Sequence, residues 1–177
     1  MRVARENNQL TFTYSLLESR LLRRVLQSII GNYQMRPEDL DAPTAAAWYS
    51  TRGCEAARMS AEETREWLWQ MHQLKSGHLR LLVDWDRQLA GGPGDLRELR
   101  IPVDEGSTLI TVLNDYRLWA AARNDIGEGE MTLLSLRDLG HLKPAQQNAL
   151  FEIHFLAQLI EEILRFLPGN CADWNEP

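Results

Sequence analysis

Residues 144–167 read PAQQNALFEIHFLAQLIEEILRFL, and their spacing decides the fold class. Ala149, Ile153, Leu156, Ile160, Ile163 and Leu167 recur at steps of four and three. That period places apolar side chains on one helical face. Phe151, Phe155, Leu159 and Phe166 add a second apolar flank, leaving His154, Gln158, Glu161, Glu162 and Arg165 as a polar strip. A helix apolar over most of its circumference has to be buried among others. Pro144 fits a first helical turn and Pro168-Gly169 a stop. The stretch therefore predicts a helix near the centre of a bundle.

Working outward, Ser15 with Glu18 and Ser60 with Glu63 have the spacing of capping boxes. The first predicts a helix to about Tyr33, with Leu22, Leu26, Ile29 and Tyr33 on its stripe and Leu17, Leu21 and Val25 widening it. The second predicts one long helix to about Leu89. Its seam, Trp67, Met71, Leu74, His78, Leu81 and Trp85, again alternates steps of four and three. Gly77 lies inside that helix, as a bend or a point of close approach. Asp41 is placed to cap a short helix over Pro43–Tyr49, and Asp104 or Ser107 one from 107 to 123. Thr132 to about Leu139 reads as a further short helix, and Gly91-Gly92-Pro93-Gly94 as a chain break.

The first fourteen residues follow the other period. With Asn7 and Asn8 at a tight turn, Val3 faces Phe12, Met1 faces Tyr14 and Arg5 faces Leu10. Met1, Val3, Leu10, Phe12 and Tyr14 then share one face, which needs a layer to cover it. Leu99, Ile101 and Val103 also alternate, and Pro102 assigns that strand to an edge. The expected architecture is mainly α: a bundle of about five or six helices with an N-terminal β-hairpin, extended to three strands by residues 98–103. It is read as one domain, residues 1–169, with a mobile tail at 170–177.

Composition agrees and sets limits on function. The 177 residues are 44% apolar and 25% charged, with six tryptophans, as expected of a packed domain. The net charge of −6 disfavours non-specific nucleic-acid binding, which depends on cationic side chains releasing counterions. Cys54 and Cys171 form no paired spacing, so neither a disulfide framework nor a zinc site is expected. No apolar run has the length of a signal peptide or a membrane span, and the expected location is the cytoplasm.

Few polar residues suggest chemistry. In helix 107–123, Leu109, Val112, Leu113, Tyr116, Trp119 and Ala120 give a buried face. Asn114, Arg117 and Ala121 adjoin it, so Asn114 and Arg117 are expected to be partly buried. A buried guanidinium requires a partner, and Glu161 or Glu162 is the natural one. Two readings stay open: a salt bridge fixing helix register, or a ligand or partner-peptide site around Arg117. His72 and His78 do not share a helix face, and His78 reads as a core residue. His154 with Gln158 and Glu161 could form a general-base arrangement, although a His beside a carboxylate is common without catalysis. His141 carries no signal. No metalloprotease, phosphate-loop, nucleophile-elbow or dinucleotide motif occurs, so no cofactor or metal is expected. Arg20, Arg23 and Arg24 form the one basic face, open to an acidic partner or a phosphate backbone. A helix-turn-helix over residues 132–154 would have a recognition helix almost without positive charge.

The stretch Leu113-Asn114-Asp115-Tyr116-Arg117-Leu118, with Arg123, Ile126-Gly127 and the preceding Ile101-Pro102-Val103, resembles an uncharacterised bacterial family. That family is known as domain of unknown function two-zero-one-seven. The resemblance covers residues 100–127, the helix order and the length. Ala121-Ala122 stand where the family pattern has Gly and a small polar residue, and residues 36–58 lack the pattern. It implies a helical bacterial cytosolic protein with no assigned activity and no established site residues. Some members are encoded beside the adaptor of the Clp protease, which implies a link to proteolysis.

The sequence thus favours a regulatory or adaptor-like protein that binds an unidentified protein partner. Its candidate binding residues are Asn114, Arg117, Arg123, His154 and Glu161. The alternative is an enzyme or small-molecule binder with a pocket around Arg117, His154 and Glu161, and a weaker one is a transcriptional regulator. A homodimer through the Trp-rich seam is also open.

Overall fold

The structure, a computed structural model, describes residues 1–91, 94–131 and 138–167. Strands β1 (Arg2–Glu6) and β2 (Gln9–Ser15) form the hairpin. Val3 pairs with Phe12 and Arg5 with Leu10, as the alternation predicts. Asn7 supplies the turn with φ of 54°, a conformation asparagine tolerates better than most residues. Strand β3 (Leu96–Pro102) pairs antiparallel with β2, giving the order β1-β2-β3. Pro102 is accordingly at an edge. The backbone N–H of Arg100 on that edge donates to Gln88 Oε1 at 2.8 Å, so a helix side chain takes up a group the sheet leaves unpaired.

Eight helices follow among the described residues: α1 (Leu16–Gln34), α2 (Ala42–Trp48), α3 (Arg52–Ala56), α4 (Ala61–Gly77), α5 (Leu79–Ala90), α6 (Gly106–Arg123), α7 (Glu128–Met131) and α8 (Pro144–Leu164). The five longer ones make the bundle. Both capping boxes form, Ser15 with Glu18 and Ser60 with Glu63, and Asp41 caps α2 through the Thr44 N–H at 2.9 Å. No side chain caps α6. The 3-10 turn Val103–Glu105 runs directly into it instead of ending in the expected Asp104 or Ser107 cap.

One core joins the sheet to the bundle. Leu10, Phe12 and Tyr14 of β2 and Leu99 and Ile101 of β3 are fully buried against α1 and α5. Val112, Leu113 and Tyr116 of α6 meet Ile153, Leu156 and Ile160 of α8 in the same core. Gly106 opens α6 where a Cβ would come within 2.8 Å of the Leu167 side chain and 3.5 Å of Leu10. The close approach of sheet, α6 and α8 requires a residue without a side chain there.

Two expectations about the long helices need correction. The helix predicted from Ser60 to Leu89 is two, broken at His78, and the seam running through it is not a core seam. No residue of α4 is buried, whereas Leu82, Trp85 and Leu89 of α5 are. The period persists across the break, but only α5 packs on the sheet, and α1 covers it far more fully than it covers α4. On α8 the second flank is only partly covered, and Phe151 stands 63% exposed. The helix expected over Thr132–Leu139 falls mostly on residues 132–137, outside the described residues. The Pro168-Gly169 stop, Cys171 and the tail at 170–177 lie outside them as well.

Candidate functional site

A polar and aromatic cluster lies where α1, α2, α4 and α6 meet. The Asp41 cap sets the direction of α2, whose end delivers Trp48 and Tyr49 beside Tyr33 of α1. All three rings are buried. Tyr33 and Trp48 pack edge-on at 5.3 Å, and Trp48 lies 6.2 Å from Trp119 of α6. Trp119 Nε1 donates to Thr44 Oγ1 at 3.1 Å, tying α6 to α2, while Trp48 Nε1 is buried with no partner among the described residues. Into this setting α4 inserts Lys75. Its ammonium stands 5.3 Å from the Tyr33 ring centre, 5.6 Å from Trp48 and 5.9 Å from Tyr49. Each face offers the cation a favourable quadrupole, worth about 0.5–1 kcal/mol where exposed and more where desolvated.

Asp115 of α6 completes the arrangement. Its carboxylate pairs with the Lys75 ammonium and accepts the Tyr33 hydroxyl at 2.6 Å. Burial, reinforced by that carboxylate, pushes the Tyr33 phenol far above its ordinary range, so it donates and does not ionise. Burial and Asp115 also push Tyr49 up to about 12. Tyr49 Oη lies 3.3 Å from His72 Nδ1, at the outer rim.

That rim opens into a groove of about 1030 Å³ between α4 and the segment Arg36–Thr51. Leu68, Trp69 and His72 line one wall, Tyr49 and Ala45 the other, with Arg36, Glu38 and Arg65 at the edges. A second, shallower trough of about 930 Å³ adjoins it along Glu62, Glu63, Glu66 and Trp67. Trp69 and Arg65 belong to both. Trp69, 57% exposed, is the ridge between them.

The residues singled out from sequence lie elsewhere. Asn114 is exposed, not partly buried, and accepts Arg117 Nη1 at 3.4 Å. Arg117 is half-buried as expected, but forms no ion pair with Glu161 or Glu162 among the described residues; Glu162 instead accepts Arg165 at 2.8 Å. Burial lowers the Arg117 pKa, and Glu161 opposes this from farther away. Arg117 Nε and His154 Nε2 are both buried atoms without hydrogen-bond partners among the described residues, and none of these groups lines either groove described above. Arg123 lies over the Trp119 ring at 5.1 Å. The basic face is broken up. Arg23 pairs with Asp86 at 2.9 Å and Arg24 with Glu152, which also accepts the Tyr116 hydroxyl at 2.6 Å, leaving Arg20 exposed.

Sequence reading missed Lys75 as a member of any site and met Asp115 only inside the resembling stretch. Two weak signals were present: the adjacent aromatics Trp48-Tyr49, and an acid immediately before the buried Tyr116. Among the described residues no group of three or more His, Cys, Asp or Glu could hold a metal, and no helix is long and apolar enough to cross a membrane. Compared with protein-family models, with curated proteins and with solved structures, the chain matches none.

Proposed function

We propose that this chain is a regulatory, adaptor-like protein that binds a segment of another protein across α4. The observation that carries this reading is the half-covered state of that helix. Seventeen residues long and with none buried, α4 keeps Trp67, Leu68 and Met71 half-exposed and Trp69 largely so. A large aromatic between two grooves is the kind of anchor around which interface energy concentrates.

The charges of the two troughs specify the occupant. Glu62, Glu63 and Glu66 outnumber Arg65 along the shallower trough, whereas Arg36 and the shared Arg65 outnumber Glu38 along the larger groove. A segment with an apolar side chain at its centre, a basic residue on one side and an acidic one on the other would match both. The resemblance over residues 100–127 supports a bacterial cytoplasmic setting and a link to proteolysis. An enzyme or small-molecule site around Arg117, His154 and Glu161 is the second reading, favoured by the buried Arg117 Nε and His154 Nε2, which have no hydrogen-bond partner among the described residues.

A library of short peptides with a central aromatic flanked by one Lys and one Asp, scored by fluorescence anisotropy, tests the first reading. Binding should weaken at least tenfold with Trp69→Ala or Arg65→Glu, and when the peptide charges are interchanged. Absence of binding, or binding indifferent to both substitutions, would overturn it.

A further inference from the structure

The Lys75 cluster divides unequally between its elements. Tyr33 comes from α1, Trp48 from the end of α2 with Tyr49 as its C-cap, and Asp115 from α6. Helix α6 packs on both α1 and α2, the Tyr33–Asp115 and Trp119–Thr44 hydrogen bonds tie it to each, and Tyr33 meets Trp48 edge-on. The cation alone is delivered by α4, which has no buried residue and ends beside the break at His78. The walls and the carboxylate therefore do not depend on Lys75 for their placement.

With the lysine withdrawn, three aromatic faces would surround a partly buried carboxylate whose remaining hydrogen bond comes from Tyr33. A lone carboxylate in such a setting strongly favours a cation, and an ammonium supplies both charge and donors. Access exists already: Lys75 keeps 13% of its side-chain surface exposed, and the Tyr49 wall reaches the open groove through His72.

We propose that Tyr33, Trp48, Tyr49 and Asp115 form an alkylammonium-binding cage, filled by Lys75 in the resting protein and available to an external primary or methylated ammonium when α4 withdraws. The ligand is defined by its head group, an ammonium on a slim alkyl stem like that of Lys75. A lysyl side chain of a partner and a free amine share that chemistry. The inference does not depend on α4 being a docking surface.

The test uses the full chain carrying Lys75→Ala, titrated with n-butylammonium and tetramethylammonium at constant ionic strength, with n-butanol as the neutral control. Tryptophan fluorescence and the melting temperature are read together. Saturable binding of an ammonium that raises the melting temperature is expected, as for any ligand preferring the folded state, with no saturable response to butanol. Adding Asp115→Asn should weaken it at least tenfold. Should Lys75→Ala be unfolded alone, butylammonium must restore its helical circular dichroism. In the wild-type chain, high butylammonium should speed amide exchange in α4 while α6 stays protected. N-acetyl-lysine amide acting like butylammonium supports a lysyl side chain as the ligand, and response to the free amines alone supports a small one. Equal responses to butanol, retention in the Asp115→Asn background, absence of recovery, or unchanged α4 exchange would each overturn the proposal.

Discussion

His78 sits where α4 gives way to α5, half-buried and near the Lys75 ammonium. Burial first, and that positive charge second, disfavour its protonated form, and Asp115 only partly compensates. Its pKa is therefore lowered. The unfolded ring takes up its proton near pH ~6.5, the folded one at lower pH. Between the two values the unfolded chain holds more protons, so stability is full above the unfolded value and is lost as pH falls through the folded one. A proton NMR titration of the ring should give a midpoint below about 6.5. His78→Asn should flatten the fall in melting temperature over that window. A midpoint at the model-peptide value would show the ring to be simply solvated. The spacing puts Lys75 one turn before His78, but nothing in the sequence shows the aromatic faces and the carboxylate that surround that lysine. A lysine buries its stem and counts as polar in any periodicity test, and Asp115 is forty positions away in the chain.

At the scale of elements, two capping boxes with the same spacing should have different consequences. Ser15 starts α1, whose Leu22, Val25, Leu26, Ile29 and Tyr33 are all in the core. Loss of its cap must be felt by the whole domain, and Ser15→Ala should lower the unfolding free energy by about 1 kcal/mol. Ser60 starts α4, which places nothing in the core. Ser60→Ala should fray that helix and leave the urea midpoint within experimental scatter. Equal shifts for the two variants would show α4 to be as integral to folding as α1. Both boxes were legible in the sequence because a cap is local chemistry, read from a residue and the one three positions on. The hairpin register was legible for a related reason, since a one-residue slip would expose Leu10, Phe12 and Tyr14 together. The division of α4 from α5 was not. Trp67 and Leu74 continue the same period as Leu81 and Trp85, and spacing cannot report whether a neighbouring helix stands opposite.

Across the whole molecule, the same asymmetry sorts stability into two layers. Sheet, α1, α5, α6 and α8 share a continuous apolar core, from Phe12 and Ile101 through Trp85 to Leu156. The attachment of α4 to it rests on the half-buried Leu68 and Met71 and on Lys75 at Asp115. Surface ion pairs contribute little, whereas a partly buried one whose loss strands a carboxylate matters more, so Lys75 is expected to dominate that attachment. Regions with few buried contacts open at lower free energy than the global unfolding. Native-state hydrogen exchange should therefore show α4 opening first, as a unit ending near His78, with α5 retained until global unfolding. Lys75→Ala should speed exchange in α4 more than Trp69→Ala does, because Trp69 lies mostly in solvent. If α4 and α5 exchanged together, the break at His78 would be a bend in one cooperative helix. The groove beside Trp69 would then have a fixed wall instead of one able to withdraw.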